Sequence, residues 1–363
     1  MAAWAIVVGI NDYGELAKQA KLDPLNGAVA DALDMTDWLL DPDGGNVAPD
    51  NLFLWTCPAP QPTPTTPQAV KTYLANPTAW PLFGPDFNRA PRVGELIGGI
   101  SQINRKAMAA GATRLYVYLA GHGAQVRPPN LGVEPKNCFI LGDYQPDAES
   151  AALMNCDSMH RYLQSQGPAE VVIFLDCCRN RLPLRISEPG AGFSNPSAVG
   201  VNTRLGILRA AQDESVAYEV PRNRPAERGA FTQLLTYGLR EIRENGVLTV
   251  RRLEEFVTDA LIEVVKPDEQ FPDFAERSIP PRLVLTSSPP KGTLAAVTLL
   301  LSTPPAGSNI ELRDKDDAVI QMLKAGPEPI RVELPRGSYS LELDGAELKT
   351  FNHVGPGTPD VVV

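Results

Sequence analysis

The chain opens on Trp4-Ala-Ile-Val-Val-Gly-Ile10, an unbroken apolar run that reads as a buried strand. Residues 27–40 follow with Ala28, Ala32, Met35 and Leu39 at helical spacing, so a β-α-β unit begins here. Residues 51–56 suit a second strand, and the Pro/Thr-rich stretch 58–67 suits a surface loop, because proline fits neither a strand interior nor a helix. The alternation then repeats. A helix over about 92–110 leads into the apolar run 114–120, and a helix over about 157–166 leads into 170–175. Apolar strands alternating with amphipathic helices need cover on both faces, which predicts an α/β fold around a mainly parallel sheet. A strand at 206–211, helices near 230–244 and 249–265, and a strand at 282–286 complete this unit.

The pattern changes after residue 286. Ser287-Ser-Pro-Pro-Lys-Gly292 marks a linker over 287–293, and beyond it short β-like runs at 295–302, 308–313, 330–334 and 338–343 alternate with Pro, Gly and Asp turns. The division is therefore 1–286, a linker, and a small antiparallel β-sandwich over 294–363, in keeping with a chain of 363 residues. Forty-three acids against 33 bases give a net charge of −10, which disfavours nucleic acid and anionic membranes as partners. The first residues carry neither a basic region nor a long apolar core, and 294–301 falls well short of the roughly 20 residues that span a bilayer. A cytoplasmic location is expected. Five cysteines, two of them adjacent as Cys177-Cys178, suit reduced thiols.

Two predicted strands end in side chains that packing does not require: Ala120-Gly-His122-Gly123 and Leu175-Asp176-Cys177-Cys178. The carboxyl edge of a parallel sheet is where ligands bind, and neighbouring strands lie about 4.8 Å apart, close enough for an imidazole and a thiol to meet. Cysteine attacks as the thiolate, and a nearby histidine forms that thiolate and supplies the leaving-group proton. Gly123 allows close backbone approach, so its N–H and that of the nucleophilic cysteine are candidate oxyanion donors. Zinc is disfavoured, since the five cysteines and three histidines contain no Cys-x-x-Cys or closely spaced His pair. Cys57, Cys138 and Cys156 read as small buried hydrophobes, and His160 and His353 as solvent-facing.

These segments resemble the active-site signatures of caspase-like cysteine peptidases, especially the metacaspases and their bacterial relatives. Val-Val-Gly-Ile-Asn11-Asp-Tyr13, Leu25-Asn-Gly27-Ala-Val-Ala-Asp31 and Gly229-Ala-Phe231-Thr232 are similar to further parts of that family, so the likeness spans about residues 3–286. It implies a three-layer α/β/α sandwich and peptide-bond cleavage by a Cys/His dyad through an acyl-enzyme. Cys178 aligns with the nucleophile and Cys177 with the usual serine; Arg179-Asn180 depart from the common pattern and leave Cys177 as a second candidate sulfur. The acids matching Asp31 and Asp176 line the family's pocket for a basic P1 side chain, with Asp143 as a third candidate, so cleavage after Arg or Lys is expected. The stretch from Arg179 to Leu205, rich in Arg, Pro and Gly, matches the connection cut in processed members, with Arg185 and Arg204 as candidate sites and an upstream protease or regulatory partner as candidate activators. Calcium stays open as a cofactor: Asp143, Asp147 and Glu149 offer oxygen ligands without a recognisable calcium loop. The Pro335-Arg-Gly337 turn resembles PEGA-type β-domains. The rival reading is a catalytically inactive caspase-fold module that binds partners.

Overall fold

The computed structural model describes residues 2–15, 22–81, 89–126, 135–144, 152–177, 190–194, 203–211, 219–220, 228–264, 272–277, 282–356, 358 and 360–363. The first elements in chain order are β1 (Ala3–Ile10), α1 (Ala28–Leu40), β2 (Val47–Cys57), α2 (Gln68–Ala75), α3 (Val93–Ala109), β3 (Arg114–Gly121) and β4 (Gly123–Val126). Then come β5 (Lys136–Ile140), β6 (Leu153–Asn155), α4 (Cys156–Gln166), β7 (Glu170–Cys177), β8 (Arg204–Arg209), β9 (Glu219–Val220) and β10 (Arg228–Gly229). This part of the chain closes with α5 (Ala230–Glu241), β11 (Leu248–Thr249), α6 (Val250–Val264), β12 (Asp273–Arg277) and β13 (Val284–Thr286).

The central sheet has the order β12-β8-β7-β3-β1-β2, parallel throughout except for the antiparallel edge strand β12. Strand periodicity sorts its side chains into two apolar layers. Trp4, Ile6, Val8, Leu115, Val117, Leu119, Val171, Ile173 and Leu175 pack with α3 and α4. Ala5, Val7, Tyr116, Tyr118, Val172 and Phe174 point the other way and pack with α1, α5 and α6. The expected three-layer α/β/α sandwich is the result. Glu170, on the rim of β7, accepts from both Arg114 and Arg204 and so joins the starts of β3, β7 and β8.

Several features depart from the sequence reading. α2 and the small antiparallel sheet β4-β5-β6 were not anticipated, because a helix of eight residues and strands of three to five carry too little periodicity to read. Nor was β12, in whose Asp273-Phe-Ala-Glu-Arg277 three of five residues are charged, as edge strands tolerate. His160 and His353 are buried rather than solvent-facing, the latter held between the Leu334 carbonyl and Thr358 Oγ1.

Beyond residue 293 lie β14 (Ala295–Leu300), β15 (Asn309–Asp314), β16 (Val319–Lys324), β17 (Ile330–Leu334), β18 (Gly337–Leu343), β19 (Ala346–His353) and β20 (Val361–Val362). They form the sheets β17-β14-β20 and β16-β15-β18-β19 around a separate core that includes Leu299, Ile310, Leu312 and Leu341. β16, β19 and β20 add to the four strands expected. The sandwich rests on α5 and α6: Arg336 N–H donates to Tyr237 Oη at 3.0 Å, and its guanidinium lies 4.7 Å from the Phe256 ring centroid.

Candidate active site

β3 and β7 are adjacent parallel strands in which Ala120 pairs with Asp176 and Gly121 with Cys177. His122 is thus the first residue past the carboxyl end of β3, and the chain position after the end of β7 is Cys178, which lies outside the described residues. Around His122 the structure is specific. Its backbone N–H donates to Tyr13 Oη at 2.7 Å, and the two rings sit 5.2 Å apart. Gly121, at φ +154°, makes that approach possible: a Cβ there would lie 2.5 Å from Tyr13 Oη.

His122 Nε2 lies 2.7 Å from the Asp23 carbonyl oxygen. A carbonyl only accepts, so Nε2 carries the hydrogen, and in the neutral ring Nδ1 is left as the basic nitrogen. Burial pushes the His122 pKa below the ordinary imidazole value, against the opposing pull of the Asp23 carbonyl, and so favours that neutral form. Gly123 opens β4 opposite Phe139; because Ile140 N–H donates to the His122 carbonyl, alternation turns the Gly123 N–H away from β5.

Strand alternation decides which side of the sheet Cys177 takes. Cys177 is buried, 6 % exposed, on the α3/α4 side of the sheet. It neighbours Cys156, whose thiol is held protonated by burial and then by the proximity of Cys177 and Cys138. Cys57 and Cys138 are buried as well, and burial pushes the Cys138 thiol up to about 12.

On the α1/α5 face, Asp31 and Asp176 meet at Gly229. Asp31 is 2 % exposed and Asp176 8 %. A Cβ on Gly229 would lie 2.5 Å from Asp176 Oδ2 and 3.0 Å from Asp31 Oδ2, so only glycine fits between them. Asp31 Oδ2 accepts from the Gly229 N–H at 2.8 Å, while its Oδ1 has no hydrogen-bond partner among the described residues. Thr232 Oγ1 donates to Asp176 Oδ2 at 2.6 Å, which makes Tyr118 Oη, 2.6 Å from Thr232 Oγ1, the donor in turn. Burial, and after it the Asp176 charge, raise the Asp31 pKa well above the usual carboxylate range. Arg228, 3.2 Å from Asp34, opposes that rise. The position of α1 follows from β1: Gly9 has no Cβ to collide with the Ala28 carbonyl, and Asn11 Oδ1 accepts from Val29 N–H at 3.0 Å.

The remaining candidates fall elsewhere. Asp143 is not with the acid pair; its Oδ1 accepts from Val93 N–H at 3.0 Å and caps α3, a task for which a short acid at a helix start is well suited. Arg204 is not in a loop but opens β8, its N–H on the Ala169 carbonyl. Arg185, Asp147 and Glu149 lie outside the described residues. Among the described residues no group of three or more His, Cys, Asp or Glu side chains is placed to hold a metal ion, and no helix is long and apolar enough to cross a membrane. Gly229, Thr232, Tyr118 and Tyr13 were not singled out as site residues by sequence; Tyr13 and the Gly229–Thr232 segment were visible only as parts of family motifs.

A family profile described as Caspase domain matches residues 2–281. A protein named as a probable protease from a Desulfuromonadales bacterium is 30 % identical over 245 residues, which is 66 % of this chain and 26 % of that protein, so the chain spans about a quarter of its length. Among solved structures, a Geobacter sulfurreducens protein aligns with a TM-score of 0.48 at 16 % identity, covering 77 % of this chain and 95 % of its own. Caspase-1 from Spodoptera frugiperda aligns at 0.47 and 13 % identity, covering 80 % and 90 %.

Proposed function

Because the chain belongs to the caspase-domain family of peptidases, we propose that it is a cysteine endopeptidase cleaving protein substrates after Arg or Lys, with Cys178 as nucleophile and His122 as base. The observation that supports this reading most is the β3–β7 register, which brings the strand ends that precede His122 and Cys178 in sequence side by side. Nδ1 of neutral His122 takes the Cys178 thiol proton, and the thiolate attacks the scissile carbonyl carbon. The Gly123 and Cys178 N–H groups receive the oxyanion. His122 returns the proton to the leaving amine, and water then hydrolyses the thioester. The P1 cation is received by Asp31 and Asp176, a buried pair whose mutual repulsion a guanidinium relieves.

A peptidyl-arginine acyloxymethyl ketone, which alkylates a catalytic thiolate only after its P1 group is bound, tests the assignment. Peptide mapping is expected to place one adduct on Cys178 and none on the buried Cys57, Cys138, Cys156 or Cys177. No adduct, or an adduct on Cys177, ends the proposal.

The pH dependence follows from His122. Its pKa in the folded protein is depressed, so the base remains deprotonated below the ordinary imidazole value of about 6.5. The acid limb of kcat/KM is therefore expected below that value. The same depression makes the unfolded chain bind the proton first, so stability from this group is intact above the unfolded pKa and is lost progressively as pH falls from there through the lower folded pKa. A limb above about pH 6.5 assigned to His122 contradicts the buried neutral base.

Processing is proposed after Arg185 rather than Arg204, whose peptide group sits within the sheet. Intact-mass spectra of incubated wild type are expected to show two fragments, and those of Cys178→Ala one chain; an uncut, fully active wild type removes processing as the switch.

A further inference from the structure

On the α3/α4 side of the sheet, away from Asp31 and Asp176, a cavity of about 500 Å³ opens between α4, the start of β5 and the strands β8 and β12. Three basic side chains line it: Lys136 from β5, Arg161 from α4 and Arg209 from β8. Arg209 is 9 % exposed. Its Nη1 pairs with Asp273 at 2.9 Å and its Nη2 lies 3.5 Å from His160 Nδ1, but its Nε has no acceptor among the described residues. A buried guanidinium N–H without an acceptor is rare in folded proteins and signals a missing partner. Lys136 and Arg161 make no ion pair among the described residues, and Asp157, the one carboxylate among the described lining residues, accepts from the Asn137 N–H at 3.0 Å and lies 4.0 Å from His160 Nδ1. Leu205, Ile207 and Ala275 add an apolar wall, and Gln164 an amide.

We propose that this cavity binds a small organic phosphate monoester. Three cationic donors arriving from three separate elements match the three terminal oxygens of a tetrahedral dianion better than the two coplanar oxygens of a carboxylate. The volume exceeds what a lone phosphate needs and lies in the range of small-molecule sites, and the apolar wall and the Gln164 amide face the organic part. The site is independent of the peptidase reading: Arg209 pairs in register with Leu175 but shares its face with Leu205 and Ile207, on the layer opposite the acid pair.

Isothermal titration of the full chain with adenosine 5′-monophosphate, glucose 6-phosphate, inorganic phosphate and adenosine tests the proposal through binding alone. At least one monoester is expected to bind with unit stoichiometry, more tightly than inorganic phosphate, and adenosine not at all. The double variant Lys136→Ala/Arg161→Ala, altered only at the cavity mouth, is expected to weaken that binding by about tenfold or more. Arg209→Lys keeps the charge but loses the Nε fork and is expected to weaken it too, with its thermal melt showing that the fold is kept. Absence of saturable binding by either ester, equal affinity for inorganic phosphate, or an unchanged affinity in the double variant overturns the proposal.

Discussion

Cys178→Ala is expected to lower kcat/KM on any cleaved peptide by at least about three orders of magnitude, since loss of a nucleophile leaves only binding and oxyanion stabilisation. Cys177→Ala is expected to retain most of the activity. The two residues are adjacent in sequence, and of the two it is Cys177 that lies within β7. Cys177 belongs to the apolar layer with Leu175 and Ile173, beside Cys156, whose thiol burial holds protonated. Truncating it deletes one buried sulfur and costs on the order of 1 kcal/mol of stability, which a thermal melt detects and a rate assay does not. The nucleophile must instead titrate readily and be reachable by Nδ1 of His122, and Cys178 is the sulfur beyond the strand end. Near-wild-type turnover by Cys178→Ala, or loss of turnover in Cys177→Ala with an unchanged melt, reverses the assignment.

The parts of this arrangement that were legible in the sequence are those written in local pattern. The runs of β1, β3 and β7 are apolar on both faces because both are covered, and two reactive side chains follow directly on two of them. What was not legible depends on partners distant in sequence. Asp143 reads as a specificity acid because it lies on the connection after His122, but its carboxylate is committed to the first turn of α3, 50 residues away. His160 sat on a helix with Arg161 and Gln164 and read as solvated; its burial comes from β8, which brings Arg209 against it. Thr232 was visible only inside a family motif and without a role, since a threonine in a helix has none to show until the fold brings Asp176 within 2.6 Å of its hydroxyl. Chemistry carried by one side chain at a strand end is visible in sequence; chemistry that depends on who neutralises or supports that side chain is not.

The proposed role of the acid pair in substrate choice gives the second large expected effect. On fluorogenic peptides differing only at P1, Arg and Lys are expected to be cleaved and Asp left essentially intact, because a P1 carboxylate would be desolvated against two like charges. Asp31 already carries a cost in the free protein: it is buried, its Oδ1 is without a hydrogen-bond partner among the described residues, and Asp176 raises its pKa further. A guanidinium supplies the missing donors and the missing charge together, and Arg should exceed Lys because a planar fork can serve both carboxylates. Asp31→Asn keeps an acceptor for the Gly229 N–H, so the fold around α1 is preserved while the charge is removed. Loss of one member of such a buried charge contact costs roughly 2–5 kcal/mol, so kcat/KM for an Arg substrate is expected to fall from about 30-fold to several thousand-fold. The same substitution relieves the repulsion in the free protein and is expected to leave the melting temperature unchanged or raised, separating a specificity role from a structural one. Preferred cleavage after Asp, or an Asp31→Asn enzyme that keeps full activity on Arg peptides, removes the acid pair from substrate recognition.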